Sequence, residues 1–154
     1  MKGNEELIKT LNDLLADELT AINQYIVHGE INASNGYEKL HKHSEKQAID
    51  EMKHAEKLIE RILFLEGRPI VSKLNQMNIA VEVPVQVKND LALEMGAIAS
   101  YNKAIKLAGD VLDFATRDLL EGILQDEDRH LDELEELRDQ IEQLGLQIFL
   151  STQM

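Results

Sequence analysis

The sequence repeats one chemically useful pair, a glutamate followed three residues later by a histidine. The pair occurs as Glu51-x-x-His54 and again, 76 positions later, as Glu127-x-x-His130. Residues three apart lie on one face of a helix, so each pair directs a carboxylate and an imidazole at the same point. This combination of ligands is typical of metal binding in helical bundles.

The same step of 76 positions relates further residues. It takes Glu18 to Glu94 and Tyr25 to Tyr101, so each half carries a glutamate, a tyrosine seven residues later, and Glu-x-x-His 33 residues after the first glutamate. Another pair, beginning at Glu38, lies outside this repeat. The alternative is that these are solvated charges on helix surfaces. That interpretation is weak because six such residues form three pairs with the same spacing of 76 positions.

Four glutamates and two histidines suit a pair of divalent cations. The carboxylates carry −4 and the cations +4, so a loaded site is neutral while an empty one crowds like charges together. Oxygen and nitrogen ligands without thiolate favour iron or manganese, whereas zinc would be redox-silent. Tyr25 and Tyr101 either orient the carboxylates or are ordinary core tyrosines. The predicted ligands are Glu18, Glu51, His54, Glu94, Glu127 and His130.

Composition predicts one all-α domain over residues 1–154, because helix-forming residues are abundant and there are only two prolines. The absence of cysteine excludes disulfides and thiolate sites and fits a reducing, cytoplasmic setting. No apolar run approaches the roughly 20 residues of a membrane span. A net charge of −13 argues against nucleic acid as a partner and favours the attraction of cations.

The apolar periodicity predicts four long helices at about 4–34, 37–66, 84–107 and 112–144. The connection 67–83 is too long for a helix hairpin, so we expect a crossover, with an extended strip at 81–83, that makes the third helix parallel to the second. The apolar tail 146–150 predicts a short fifth helix that packs against another apolar surface, and another subunit is the expected partner. His28, His41 and His43 lack repeat partners and are predicted on the surface.

Six segments spread along the chain are similar to those of one known family: MKG (1–3), LLxxELxAINQY (14–25), DEMKHAE (50–56), ERILFLEG (60–67), DLALE (90–94) and GLQ (145–147). On these segments the chain resembles, from end to end, the bacterioferritins of the ferritin-like di-iron carboxylate family. It implies a ferroxidase that oxidises Fe2+ with O2 or H2O2 and stores ferric mineral in a homo-oligomeric cage of 24 subunits built from two-fold dimers. A ferredoxin-type reductant is the implied partner for iron release.

The resemblance also implies roles for individual residues. The six predicted ligands become the di-iron ligands, with Glu51 and Glu127 bridging the metals. Met52, by sequence alone an apolar residue at a helix contact, becomes an axial ligand of a b-type haem shared between two subunits. Its expected pocket neighbours are Ile22, Asn23, Ile26 and Ile49.

Two departures from the family pattern lie close to these residues. Glu45 and Lys46 stand where some members place tyrosine and histidine. They put in doubt a second iron site, built from position 46 and Asp50, on the surface that faces the cavity.

Two other functions are compatible with the same bundle. One is a rubrerythrin-like or manganese-catalase-like enzyme that reduces peroxide, although no Cys-x-x-Cys is present for a rubredoxin-type centre. The other is a helical scaffold without metal, which would bind less than one metal ion per chain.

Overall fold

Four long helices and one short helix make up the computed structural model, which describes residues 1–154. The helices are α1 (Glu5–Ser34), α2 (Glu38–Phe64), α3 (Val83–Asp110), α4 (Phe114–Leu144) and α5 (Leu146–Ser151). The predicted all-α bundle, with its long crossover and short fifth helix, is confirmed. None of the helices has both the length and the apolar character that crossing a membrane requires.

The helix ends follow the signals in the sequence. The Asn4 side chain caps α1 by accepting a hydrogen bond from the backbone N–H of Leu7 at 3.0 Å. Gly145 adopts a φ of 80° between α4 and α5, a conformation that costs glycine little. The predicted extended strip at 81–83 forms no strand, because Val83 already begins α3 and Pro84 fits the first turn of that helix.

The apolar core has a main cluster between the four long helices and two smaller clusters. One of the smaller clusters contains the fully buried Phe149 of α5, packed with Leu40, Val87 and Leu134 of the same chain. The tail therefore does not depend on another subunit to cover its aromatic ring. Ile148, in contrast, remains 59% exposed.

The crossover between α2 and α3 is bound to α1 by a row of polar side chains. Three polar residues spaced four apart on one face of α1 accept hydrogen bonds from successive backbone N–H groups of the crossover. Thr20 accepts from Asn75 at 2.8 Å, Gln24 from Asn78 at 3.2 Å, and His28 from Ala80 at 3.0 Å. The crossover thus runs in the direction of α1 and returns the chain to the end of the bundle where α2 begins. As predicted, α3 is parallel to α2.

His28 is fully buried, so its predicted surface position is wrong. Its Nε2 accepts the N–H of Ala80, which leaves Nδ1 to carry the proton and donate to Asp90 at 2.9 Å. Its polarity is therefore satisfied by an α3 carboxylate and the crossover backbone. His41 and His43 are half-buried.

Replacing His28 should destabilise the fold because it would leave a buried carboxylate and a half-buried backbone N–H each short of a hydrogen bond. In the His28→Leu variant the Asp90 carboxylate and the Ala80 N–H each lose a hydrogen bond, at a cost of about 2–3 kcal/mol. We expect the midpoint of thermal unfolding to fall by about 5 °C or more, measured by circular dichroism. Glu30→Gln, an exposed change on the same helix, is the control, and equal midpoints for the two variants would contradict the prediction.

Candidate metal centre

The structure brings all six predicted ligands together in the middle of the bundle. One glutamate comes from each of the four long helices, and α2 and α4 each add a histidine. Every one of the six residues is at most 1% exposed. Because ionisable side chains are rarely buried without partners, such a group needs a compensating charge. The residues are Glu18, Glu51, His54, Glu94, Glu127 and His130.

Their ligand atoms form two groups of four. Glu18 and His54 belong to one group and Glu94 and His130 to the other, while Glu51 and Glu127 belong to both. Within each group the ligand atoms lie within 4.8 Å of one another. The two imidazole rings flank the site with their centroids 6.2 Å apart. This arrangement is compatible with two metal ions that share two carboxylates.

The inward atoms of this cluster have no hydrogen-bond partners. Every one of the six residues contributes at least one buried, unpaired atom, among them both oxygens of Glu127 and the Nδ1 atoms of His54 and His130. His54 Nδ1 lies 3.0 Å from Glu127 Oε1, and His130 Nδ1 lies 3.1 Å from Glu51 Oε1. Buried oxygen and nitrogen atoms that converge without hydrogen-bond partners are the pattern expected of a cation site.

The four carboxyl groups resist ionisation in the metal-free protein. Burial raises the pKa of Glu51 to about 7, with the neighbouring Glu18 adding to the effect, and raises the pKa of Glu94 to about 8. Burial also raises the pKa of Glu18 and of Glu127. Protons therefore compensate part of the negative charge when no metal does.

The two histidines are shifted toward the protonated form. Burial alone would lower the pKa of His130, but the nearby carboxylates of Glu51 and Glu94 outweigh it and raise the pKa to about 11. The pKa of His54 is raised in the same way, against the effect of burial, by Glu127, Glu18 and Glu51. The metal-free centre thus holds its charge balance with imidazolium groups.

The two tyrosines of the repeat orient the two glutamates that the groups do not share. The Tyr101 hydroxyl donates to Glu18 Oε1 at 2.5 Å, and the Tyr25 hydroxyl donates to Glu94 Oε1. In both glutamates the other oxygen, Oε2, stays unpaired within the cluster. Each tyrosine therefore fixes one carboxylate oxygen and leaves the second available as a ligand.

Two aspartates support the histidines, a role that the sequence analysis assigned to neither of them. Asp126 accepts from His54 Nε2 at 2.8 Å, and Asp50 accepts from His130 Nε2 at 3.0 Å. A proton held on Nε2 keeps the Nδ1 lone pair free for a metal, and the carboxylate raises the basicity of the ring. The sequence did contain the signal, since position 126 lies one repeat step of 76 after position 50.

Asp50 is therefore engaged inside the protein. It contacts His130 and also Arg129, whose Nη2 lies 3.3 Å away, while Lys46 is exposed on the surface of α2. Asp50 is thus occupied by an imidazole and a guanidinium, and Lys46 would add a positive charge nearby. The doubt about an iron site at these two positions stands.

Met52 lies outside the cluster, at an apolar surface pocket of about 320 Å³. The side chain is 46% exposed, and Ile22, Ile26 and Ile49 line the pocket with it. Asn23 is not among the lining residues, whereas Glu45 is. An exposed thioether among isoleucines can face an apolar ligand.

Comparison with known proteins identifies the family. The ferritin-like domain model matches residues 8–144. The bacterioferritin of Streptomyces coelicolor is 38% identical, with 99% of this chain and 91% of that protein covered. The bacterioferritins of Rhodobacter capsulatus and Mycolicibacterium paratuberculosis are 39% and 36% identical, each over 97% of this chain and over 92% and 94% of their own lengths. The chain therefore belongs to the bacterioferritins, within the ferritin-like family.

Proposed function

We propose that this protein is an iron-storage ferroxidase that oxidises Fe2+ at the buried cluster. The observation that carries the proposal is the pair of ligand groups that share Glu51 and Glu127. In this assignment Glu18 and His54 bind one iron, Glu94 and His130 bind the other, and the two shared glutamates bridge them. The net charge of −13 favours the approach of Fe2+.

A paired site matches the electron count of the reaction. Each Fe2+ gives one electron, so two irons together reduce H2O2 and two protons to two molecules of water, or reduce O2 and two protons to H2O2. The side chains keep both ions in place in either oxidation state. Tyr25 and Tyr101 hold two carboxylates, and Asp50 and Asp126 keep the histidine Nδ1 atoms unprotonated when metal is bound.

Storage requires a container, and we propose the cage of 24 identical subunits that the family resemblance implies. Large apolar side chains remain on the outside of the isolated chain, including Leu63, Phe64 and Val71, which are 59%, 52% and 60% exposed. Exposed apolar surface of this kind supports assembly. Reduction by a ferredoxin-type partner and a cytoplasmic location remain predictions.

The test is aerobic addition of Fe2+ to the metal-free protein at increasing ratios, with ferric absorbance recorded over time and particle size measured by light scattering. The proposal predicts a fast phase that saturates near two irons per chain on a particle of 24 subunits. Slow oxidation without saturation on a small oligomer would refute it. Rapid turnover of H2O2 without iron retention would favour the peroxide-reducing enzyme instead.

We also propose that the apolar pocket at Met52 binds a b-type haem between two subunits. The pocket fits such a group because most of its lining residues are apolar, three of them isoleucine, and because an exposed thioether is an established kind of haem ligand. Met52 would contribute one ligand and the second subunit's equivalent residue the other. Bound haem would supply one-electron redox chemistry.

The Met52→Leu variant should lose haem while remaining assembled. Leucine keeps the apolar volume but has no sulfur ligand, so titration with haem should fail to produce the spectrum of iron bound by two thioethers. The unchanged chain should reach one haem per two chains. Met95→Leu, which alters another exposed methionine, is the control and should bind as the unchanged chain does. Haem binding by Met52→Leu with the same spectrum would disprove the assignment.

A further inference from the structure

One guanidinium group lies between the two aspartates that support the histidines. Arg129 Nη1 donates to Asp126 Oδ1 at 3.2 Å, and Arg129 Nη2 donates to Asp50 Oδ2 at 3.3 Å. Each aspartate in turn accepts from the Nε2 of one histidine of the cluster. A continuous path of hydrogen bonds therefore runs from one metal-facing imidazole, through a single cation, to the other.

The internal repeat is broken at this position. The counterpart of Arg129, 76 residues earlier, is Lys53, which is exposed and makes no ion pair. The duplicated halves thus provide two glutamate-histidine pairs and two supporting aspartates, but only one cation that contacts those aspartates. Arg129 of α4 serves both halves.

The two aspartates need this restraint more than the buried glutamates do. The side chains of Asp50 and Asp126 are 19% and 34% exposed, so water can compete with the histidines for their oxygens. Arginine presents several N–H donors in a rigid, planar fork, and it can hold two separate carboxylates at fixed angles. A lysine ammonium at the same place would act as a point charge.

We propose that Arg129 is a positioning residue for both metal sites at once. By fixing Asp50 and Asp126 it keeps both imidazoles in the orientation and tautomer in which Nδ1 faces the cluster. Its loss therefore weakens metal binding at both sites, whereas loss of one aspartate affects chiefly the site of one histidine. This inference rests on the proposed function.

The test uses Co2+ alone, added to the metal-free full chain and followed by its visible absorption and by equilibrium dialysis. The unchanged chain should bind two Co2+ ions. The Arg129→Met variant keeps an unbranched side chain but loses the charge. Its affinity for Co2+ should fall about three- to tenfold at both sites. This loss is smaller than that expected from replacing a residue that contacts a metal ligand directly, because Arg129 acts through the aspartates. Arg138→Met is the matched control.

Arg138 is a close match because it lies on the same helix and its side chain is 49% exposed, against 47% for Arg129. It pairs only with Glu135 and Asp139, and it lies about two helical turns beyond His130. Both variants lose one surface charge from α4. A difference between them in Co2+ affinity therefore reports the contacts of Arg129.

A second background separates positioning from a general effect. In a chain that carries Asp50→Ala and Asp126→Ala, Arg129→Met should cause no further loss of Co2+ affinity. The aspartates through which Arg129 acts on the histidines are already absent from that chain. An undiminished loss in that background would overturn the inference, and so would equal affinities of Arg129→Met and Arg138→Met. Failure of the unchanged chain to bind two Co2+ ions would instead overturn the proposed centre and, with it, this inference.

Discussion

The Glu127→Gln variant should oxidise Fe2+ at an initial rate at least about a hundredfold below that of the unchanged chain. Glu127 belongs to both ligand groups, and neither of its oxygens has a hydrogen-bond partner. An amide of the same shape removes one negative charge and replaces one ligand oxygen by an NH2 group. Both metals lose a ligand through a single substitution, so the fast phase of ferric absorbance should disappear.

Glu136→Gln provides the control for this experiment, since Glu136 is exposed on the same helix. Both variants should give particles of the same size and helical content, because the substitution at position 127 relieves repulsion between carboxylates. A Glu127→Gln protein that keeps the initial rate of the unchanged chain would show that oxidation takes place elsewhere.

Loading of the centre with divalent cations should release protons, and more of them at lower pH. The pKa of Glu51 is about 7, that of Glu94 about 8 and that of His130 about 11, and the pKa of His54 is also raised. Metals require the free lone pairs of all four groups. The release should therefore fall from about four protons per chain at pH 6 to about two at pH 8.5, where mainly the histidines still hold protons.

The sign of the pH effect on affinity follows. Because protons compete with the metals, acid opposes loading and alkali favours it, with a slope of log affinity against pH equal to the number of protons released. Calorimetric titration with Zn2+ in two buffers of different ionisation enthalpy measures that number. In Glu94→Gln the release at pH 6 should fall by about one. Release of less than one proton by the unchanged chain would contradict the charge balance described for the metal-free centre.

The four helices and the ligand cluster could be predicted because both leave periodic marks in the sequence. Apolar residues recur along each helix, and Glu51 and Glu127 lie in those stripes, where a solvated carboxylate would not be placed. The step of 76 positions then connected the two halves. The apolar stripes can be recognised within one helix, and the repeat can be recognised by comparing the two halves of the sequence, so neither signal requires knowledge of the contacts between helices.

The contacts that were missed join segments distant in the chain. His28 was predicted on the surface because the repeat gives it no partner, yet its burial depends on Ala80 and Asp90, more than 50 residues away. The row of polar residues at every fourth position of α1 was visible, but not the crossover that it binds. Asp126 was overlooked although it obeys the repeat, because its role becomes apparent only when α4 is placed beside α2.

The shared glutamates also determine how the molecule can come apart. The helices α1 and α2 supply three members of one ligand group and a single member of the other, and α3 and α4 do the reverse. Neither the α1–α2 pair nor the α3–α4 pair alone can complete a ligand group, so metal bound to both groups would hold the two helix pairs together. Exchange of the metal ions should therefore be slow, because it should follow the rate at which the two helix pairs separate. Each bound ion should also raise the free energy of unfolding, because it binds the folded chain and not the unfolded one.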